Sequence, residues 1–234
     1  PPPSGTSEWF LWLDDVHSPW MNMALDDALL RNARDHGFPV LRFYQWDRPA
    51  VSIGYVQKAS AAPPGFAFVR RPTGGGVVYH DHDFTYSVVL PAGHWLTGLD
   101  RTRSYDWINR SVREALQDVH IRASLADQNI SHTVDRETMV CFRNPTKYDV
   151  LLGQQKVAGS AQRRTRDGIL HQGSLHFGGP LPLGREVLSE AMRGAFGRVL
   201  GVAFTPFEPS PEFLQAAEDL SVGQYATSTW SQRR

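Results

Sequence analysis

Arg70-Arg71-Pro72-Thr73-Gly74-Gly75-Gly76-Val77-Val78-Tyr79-His80-Asp81 is the stretch of this sequence on which the fold assignment rests. Three consecutive glycines follow a basic pair and precede β-branched and aromatic residues. Glycine admits backbone conformations with φ > 0, and its missing Cβ lets a ligand approach the main chain. Successive N–H groups of such a loop can form a concavity for a carboxylate, a phosphate or a thioester carbonyl. The stretch predicts an anion or acyl-group cradle, and a surface turn between two strands is the alternative reading of the same composition.

Two nucleotide-binding patterns are absent from this loop. No Lys-Ser/Thr pair follows the glycines, as a P-loop requires, and their spacing is not G-x-G-x-x-G. The sequence therefore does not predict nucleotide binding by either of these routes.

A second informative segment begins at Lys147. Alternating apolar and turn residues predict strands over residues 148–152, 156–162 and 169–177, joined by turns at 153–154 and 167–168. Lys156 then lies in a meander of strands, beside the small residues of 158–160. Its side chain could serve an acyl carbonyl or an anionic leaving group, or it could be a lysine that protects an exposed edge strand from aggregation.

Helical periodicity appears in four other segments. Apolar spacing and capping residues predict a first helix after Ser18-Pro19 that stops before Gly37, and further helices from Ser104, around residues 187–200 and over 212–220. Strands and helices do not alternate strictly, so the predicted class is α+β, with a mixed sheet and packed helices.

Three ordered motifs of this chain resemble those of one family, the lipoate–protein ligases and octanoyl/lipoyl transferases, which share a catalytic domain with biotin–protein ligases. The motifs are the stretch 70–81, Lys156-Val157-Ala158-Gly159-Ser160-Ala161-Gln162 and His171-Gln172-Gly173-Ser174-Leu175. Similar residues at 22–26 and 52–57 extend the resemblance over about residues 21–177. It implies a biotin/lipoate-protein ligase-like catalytic domain.

The resemblance leaves two chemistries open. Ligases activate lipoate with ATP, and transferases take octanoyl from acyl carrier protein. Cys141, the one cysteine, lies in a Cys-Phe-x-x-Pro-Thr-x-Tyr stretch similar to that of the cysteine-dependent octanoyltransferases that resemble ligases. The residues 83–87 are also closer to that branch. The resemblance thus implies Cys141 as acyl nucleophile and Lys156 as its partner and proton acceptor, with no cofactor. ATP and Mg²⁺ belong to the ligase alternative, and a buried structural cysteine in a non-catalytic acyl-binding relative is the third.

The resemblance also implies a set of substrate-binding residues on the three motifs. They are Arg70, Arg71, Thr73, Gly74, Gly75, Gly76, Tyr79, His80, Gly159, Ser160, Ala161, His171 and Gly173. His80 and His171 are expected to line the acyl or carrier-facing side. No histidine has a metal-ligand spacing such as H-E-x-x-H, so no metal site is expected.

Composition sets further limits on the expected partners and compartment. Lys+Arg and Asp+Glu both number 24, so no basic field indicates nucleic acid. No apolar run reaches the ~20 residues of a membrane span, and a single cysteine is typical of a reducing cytoplasm. We expect one domain over residues 1–234, a flexible tail at 1–8 and no C-terminal accessory domain. The resemblance implies acyl carrier protein as donor and lipoyl carrier domains of 2-oxoacid dehydrogenases or glycine cleavage H protein as acceptors.

Overall fold

A computed structural model gives the structure of residues 7–128, 142 and 145–233. An eight-stranded mixed sheet forms its centre, in the spatial order β11-β1-β2-β6-β10-β9-β8-β7. These strands are β1 Ser7–His17, β2 Val40–Trp46, β6 Phe84–Pro91, β7 Ser124–Leu125, β8 Val150–Leu152, β9 Gln155–Arg164, β10 Gly168–Leu175 and β11 Val202–Pro206. β1 runs parallel to β2 and β11, and the other neighbouring strands are antiparallel.

A smaller sheet, in the order β4-β3-β5, lies at one end of the molecule. It contains β3 Ala50–Ile53, β4 Ala67–Arg70 and β5 Val78–His80. β3 pairs with β4 in parallel and with β5 in antiparallel orientation. The glycine loop therefore connects the two outer strands of this small sheet.

Helices cover both faces of the large sheet. They are α1 Pro19–Arg31, α2 Ala33–His36, α3 Arg101–Asp118, α4 Arg185–Leu200, α5 Pro211–Leu220 and α6 Ser228–Ser231. Ser18 caps α1 by accepting a hydrogen bond from the Met21 amide, and Pro19 begins the helix, as the sequence predicts.

The period-2 alternation of β6 separates two cores. Val88 and Leu90 pack with Ile108 of α3 in the larger core, which α4 also covers. Val89 points to the opposite face and packs with Leu29 of α1 in a second core that includes α5. The predicted mixed sheet with packed helices is confirmed.

The amino-terminal strand corrects one sequence-based boundary. Ser7 and Glu8, expected in a flexible tail, pair in β1 with Val202 and Ala203 of β11. The hydrogen bonds of a parallel strand pair therefore hold residues that composition alone assigned to the tail.

Among the described residues, no helix is both long and apolar enough to cross a membrane.

Candidate active site

A cleft lies between the small sheet and strands β6, β9 and β10. The residues that line it come from six strands, helix α1 and the start of the glycine loop: Met23, Tyr44, Trp46, Ser52, Arg71, Val78, His80, Thr85, Gly159, Ser160, Ala161, Gln172, Gly173 and Ser174. Six of them, Arg71, His80, Gly159, Ser160, Ala161 and Gly173, belong to the substrate-binding set that the sequence predicts.

Arg71 organises the glycine loop. Its Nη2 donates to the carbonyl oxygens of Gly74 at 2.9 Å and Gly76 at 2.8 Å, and its Nη1 donates to Ser52 Oγ at 2.7 Å. In a trans peptide the N–H points opposite to the C=O, so the amides that follow these carbonyls face away from Arg71. Gly75 has φ 87°, a backbone conformation that would be strained for any residue other than glycine. Arg71 thus holds the loop in one conformation, in which the amide N–H groups that follow Gly74 and Gly76 point away from its guanidinium.

A buried hydrogen-bond chain joins the loop to helix α1. Thr73 Oγ1 donates to Gln172 Oε1, and Gln172 Nε2 donates to Asp26 Oδ2, both at 2.7 Å. Asp26 also forms a 2.7 Å ion pair with Arg42, whose side chain is fully buried. Burial alone would lower the pKa of Arg42, but the charges of Asp26 and Asp14 outweigh it and raise that pKa. This chain fixes Gln172 in the cleft wall.

A second chain fixes His80. Its Nδ1 lies 2.7 Å from Asp83 Oδ2, and its Nε2 lies 2.6 Å from Ser52 Oγ. Trp46 stacks on the imidazole at 3.9 Å between ring centroids. Both ring nitrogens of His80 are therefore engaged with neighbouring side chains, and the ring is held in one orientation in the cleft wall.

The Asp83 carboxylate is ionised despite its burial. Burial alone would raise its pKa, but His80 and the hydroxyls of Ser174 and Thr85 outweigh this effect, so the pKa of Asp83 is lowered. The Ser52–His80–Asp83 chain was not predicted from the sequence, because these serine and aspartate residues carry no catalytic motif.

Lys156 lies in a buried ion pair. Its Nζ is 2.7 Å from Asp149 Oδ2, and both side chains are almost fully buried. The same oxygen accepts hydrogen bonds from the Thr146 amide at 2.6 Å and the Thr146 hydroxyl at 2.8 Å. The reading of Lys156 as an exposed edge-strand residue is therefore wrong. The sequence reading missed Asp149, although it directly precedes β8 of the same hairpin.

The Lys156 ammonium also approaches an aromatic ring. Nζ lies 5.7 Å from the ring centroid of Phe142, which in turn lies 5.5 Å from the ring of His176. Phe142 follows Cys141 in the sequence. Cys141 itself lies outside the described residues, so its assignment as nucleophile stays a prediction.

The structure gives Arg70 a different role from the predicted one. Arg70 is absent from the cleft wall as described, and its guanidinium donates to backbone carbonyls of two segments, namely those of Gly54, Tyr55, Gln57, Trp230 and Ser231. The Trp230 indole donates back to the Arg70 carbonyl at 2.9 Å. With its N–H groups donating to carbonyl oxygens, Arg70 joins the small sheet to α6.

Six further predicted residues lie outside the cleft lining, namely Thr73, Gly74, Gly75 and Gly76 of the glycine loop, together with His171 and Tyr79. His171 is fully buried against Tyr86 and Tyr105, with Nδ1 3.0 Å from Gln162 Nε2, and burial lowers its pKa to about 3. Tyr79 packs edge-to-face on Phe66 in the small sheet. Strand alternation turns both side chains away from the cleft. Among the described residues, no group of three histidine, cysteine or acidic side chains could hold a metal ion.

Comparison with known proteins identifies the family of this chain. Residues 18–198 match the family model of the lipoyl protein ligase A/B catalytic domain. This chain belongs to that family. The matched range contains the cleft, the glycine loop and the Lys156–Asp149 pair.

Curated relatives in the family align over nearly the whole chain. Octanoyltransferase LipM of Brevibacillus brevis is 31% identical, over 97% of this chain and 99% of the relative. Octanoyltransferase LipM of Kyrpidia tusciae is 29% identical with the same coverage.

Solved structures show the same fold. Lipoate-protein ligase A bound with ATP superposes with a TM-score of 0.81 at 23% identity, covering 96% of this chain and 98% of that chain. A bi-partite lipoate protein ligase from Thermoplasma acidophilum, studied with its E2 lipoyl domain, gives 0.78 at 22% identity, covering 97% and 98%. The predicted lipoate-protein ligase-like fold is confirmed.

Proposed function

We propose that this protein is an octanoyltransferase that moves an octanoyl group from acyl carrier protein to a lysine of a lipoyl carrier domain, through a thioester on Cys141. The octanoyltransferases among its curated relatives support the acyl group and the reaction type. The proposed acceptors are the lipoyl domains of 2-oxoacid dehydrogenases or glycine cleavage H protein, and the proposed compartment is the cytoplasm.

The observation that carries the proposed chemistry is the contact of Phe142 with Lys156. The ring of the residue that follows Cys141 lies 5.7 Å from the Lys156 ammonium. An ordinary thiol with a pKa of ~8.5 is only about a few per cent thiolate at neutral pH, and a nearby cation increases that fraction. This contact supports a cysteine–lysine pair in the family domain.

The proposed reaction has two steps. The Cys141 sulfur attacks the octanoyl thioester, forms a new carbon–sulfur bond, and releases the carrier thiol with the proton. The amine of the acceptor lysine then displaces the Cys141 thiol and forms the amide, while its proton returns to the sulfur. Both steps pass through an oxyanion, which the oriented amides of the glycine loop are suited to stabilise. Neither step consumes ATP or a metal ion.

The binding roles are divided between the cleft and the loop. Trp46, Val78 and Met23 supply apolar surface for the acyl chain. The glycines 74–76 and Thr73 form the rim that Arg71 and Gln172 hold in place. Because Lys156 forms an ion pair with Asp149, we assign it the role of a cation, in place of the proton acceptor that the sequence suggested.

Intact-protein mass spectrometry tests the proposal. After incubation with octanoyl–acyl carrier protein and no ATP, we expect a single octanoyl adduct that hydroxylamine removes and that Cys141→Ser lacks. An adduct that persists in Cys141→Ser would contradict the assigned nucleophile. No adduct, with lipoyl-adenylate forming once ATP and lipoate are added, would identify a ligase. Binding of the acyl carrier without any transfer would indicate a non-catalytic relative.

A further inference from the structure

One carboxylate oxygen of Asp149 contacts three neighbouring groups. Oδ2 lies 2.7 Å from Lys156 Nζ, 2.6 Å from the Thr146 amide nitrogen and 2.8 Å from the Thr146 hydroxyl. Lys156 belongs to β9, whereas Thr146 belongs to the Cys-Phe-x-x-Pro-Thr-x-Tyr stretch. A single carboxylate oxygen therefore connects the lysine strand to the segment that follows the cysteine.

The backbone around Asp149 is held from several sides. The Asp149 carbonyl accepts from the Ala126 amide at 2.8 Å, and the Tyr148 amide donates to the Ala126 carbonyl at 2.8 Å. Asn109 of α3 donates to the Tyr148 carbonyl at 2.9 Å. Tyr148 itself has φ 70°, which a non-glycine residue adopts only where its surroundings impose it. The carboxylate is thus a fixed reference point and not a mobile surface charge.

Burial makes this contact decisive for the charge of Lys156. An ammonium that loses its counter-ion in a low-dielectric site is destabilised relative to the neutral amine. The carboxylate is only 1% exposed and the lysine only 4% exposed, so water cannot replace the lost partner. The Asp149 carboxylate therefore favours the ammonium form of Lys156.

Two titratable groups among the described residues lie near this pair. Tyr86 lies close enough that the Asp149 charge, after burial, contributes to raising the pKa of the phenol. His176 lies beyond the Phe142 ring, and its Nε2 is 3.5 Å from Asp81. Neither of these two groups carries a negative charge that could pair with the Lys156 ammonium.

We infer that Asp149 is a positioning residue for acyl transfer: it keeps Lys156 in its ammonium form and holds that ammonium at a fixed place relative to the Thr146 end of the cysteine segment. This role rests on the proposed function, in which Lys156 acts as the cation beside the acyl-carrying sulfur. Asp149 contacts neither substrate nor sulfur in this account and acts through Lys156.

Lysine NMR provides a test that does not require activity. The chain has three lysines, Lys58, Lys147 and Lys156, so ¹³Cε-labelled lysine gives three resolvable signals, and Lys156→Met identifies the signal of interest. In the unsubstituted protein we expect Lys156 to remain protonated up to at least the pH at which Lys58 titrates. In Asp149→Asn its titration midpoint falls by at least about one pH unit. Unchanged titration in Asp149→Asn would overturn the inference.

Two further variants separate charge from hydrogen bonding. Asp149→Glu keeps the negative charge, so Lys156 stays protonated even if the carboxylate shifts by the length of a methylene group. Thr146→Val removes the hydroxyl contact but leaves the ion pair, and is the matched control. If Asp149→Asn fails to fold, Asp149→Glu still decides the matter, because a midpoint about one unit below the original would contradict the charge role.

The pH dependence of transfer then connects the contact to function. The octanoyl transfer rate of Asp149→Asn, divided by that of the unsubstituted protein, is expected to fall about tenfold over the two pH units centred on the Lys156 midpoint that NMR gives for this variant, as Lys156 loses its proton. For Asp149→Glu and Thr146→Val the same ratio is independent of pH. If the ratio for Asp149→Asn is equally low at every pH, the loss of rate does not arise from deprotonation of Lys156, and the role of Asp149 is purely structural. If the unsubstituted protein forms no octanoyl adduct, the proposed function fails, while the NMR titration still decides the charge role.

Discussion

Gly173 lies so close to the phenol of Tyr86 that a Cβ on residue 173 would come well within 3.0 Å of three Tyr86 ring and hydroxyl atoms. The two residues face each other across the β6–β10 pair. Tyr86 is fully buried and packs edge-to-face on Phe196, so its neighbours restrict the movement of its ring. A glycine in the predicted substrate-binding set thus also has a packing role.

Gly173→Ala is expected to destabilise the protein by about 1–3 kcal/mol, because an added methyl group overfills a packed core. For a chain of this size each 1 kcal/mol lowers Tm by roughly 2–4 °C. Thermal unfolding followed by circular dichroism measures the change. Gly179→Ala is the control, since a Cβ there meets no atom within 4 Å. Equal Tm values for the two variants would contradict the packing argument.

Stability is expected to decline with acid partly through His171. Burial lowers its pKa to about 3, whereas an unfolded histidine titrates near ~6.5. The unfolded chain therefore binds the proton first, so the contribution is complete above about pH 6.5 and is lost as the pH falls towards 3. The slope from this group approaches about 1.4 kcal/mol per pH unit.

Urea unfolding at pH 6.5, 5.5 and 4.5 measures this slope (the chosen values are about one unit apart). His171→Leu removes the group and should flatten the curve by about one proton. His94, whose pKa burial lowers to about 4, contributes in the same direction with and without this substitution. An identical slope in His171→Leu would show that His171 is not buried in neutral form.

Arg70→Lys is expected to loosen the segment at residues 228–233. Lysine carries one ammonium group in place of the planar guanidinium, so it cannot serve five carbonyl oxygens in two segments. Hydrogen–deuterium exchange of amides in α6 should accelerate at least about tenfold, equivalent to a local loss of ~1.4 kcal/mol. Arg48→Lys is the control, because Arg48 pairs only with exposed Asp47 among the contacts of the described residues. Unchanged exchange would mean that α6 is held without Arg70.

Lys156→Ala is expected to abolish octanoyl transfer, with a loss of at least about 100-fold, because it removes the cation to which the proposed mechanism assigns stabilisation of the thiolate. The measurement is single-turnover transfer to a lipoyl domain. Lys147→Ala provides the matched control, since its ammonium lies over the Tyr148 ring at 5.2 Å. Retained activity in Lys156→Ala would remove Lys156 from the mechanism.

The sequence predicted several of the helices and strands, because these depend on local signals. Helical periodicity and the Ser18-Pro19 start located α1, and the Asp167-Gly168 turn located the β9–β10 hairpin. These signals act over a few residues, so a single sequence contains them.

The sequence does not predict that Arg71 lines the cleft while Arg70 binds carbonyl oxygens at α6. Neighbouring residues at the end of a strand point to opposite faces, so two adjacent arginines cannot both face one cleft. Which of them faces it depends on how the small sheet packs against α6 and β9, and that packing is set by residues more than 90 positions away.

The Lys156–Asp149 pair could be predicted only in part. The turn at Gly153-Gln154 places β8 against β9, so Asp149 is within reach of Lys156. Their side chains meet where the strand register shifts between Val150 and Leu151. Such an irregularity leaves no trace in hydrophobic periodicity.

The arginine that joins the small sheet to α6 also imposes an order on events during synthesis. Trp230, whose carbonyl Arg70 binds, follows it by 160 positions. At ~5–20 residues per second, a ribosome adds that segment roughly ten seconds or more after Arg70 has been made. Until then the guanidinium lacks two of its acceptors, and the small sheet beside the cleft is unfinished. A nascent chain would therefore complete the contacts between the small sheet and α6 only after Ser231 has been added.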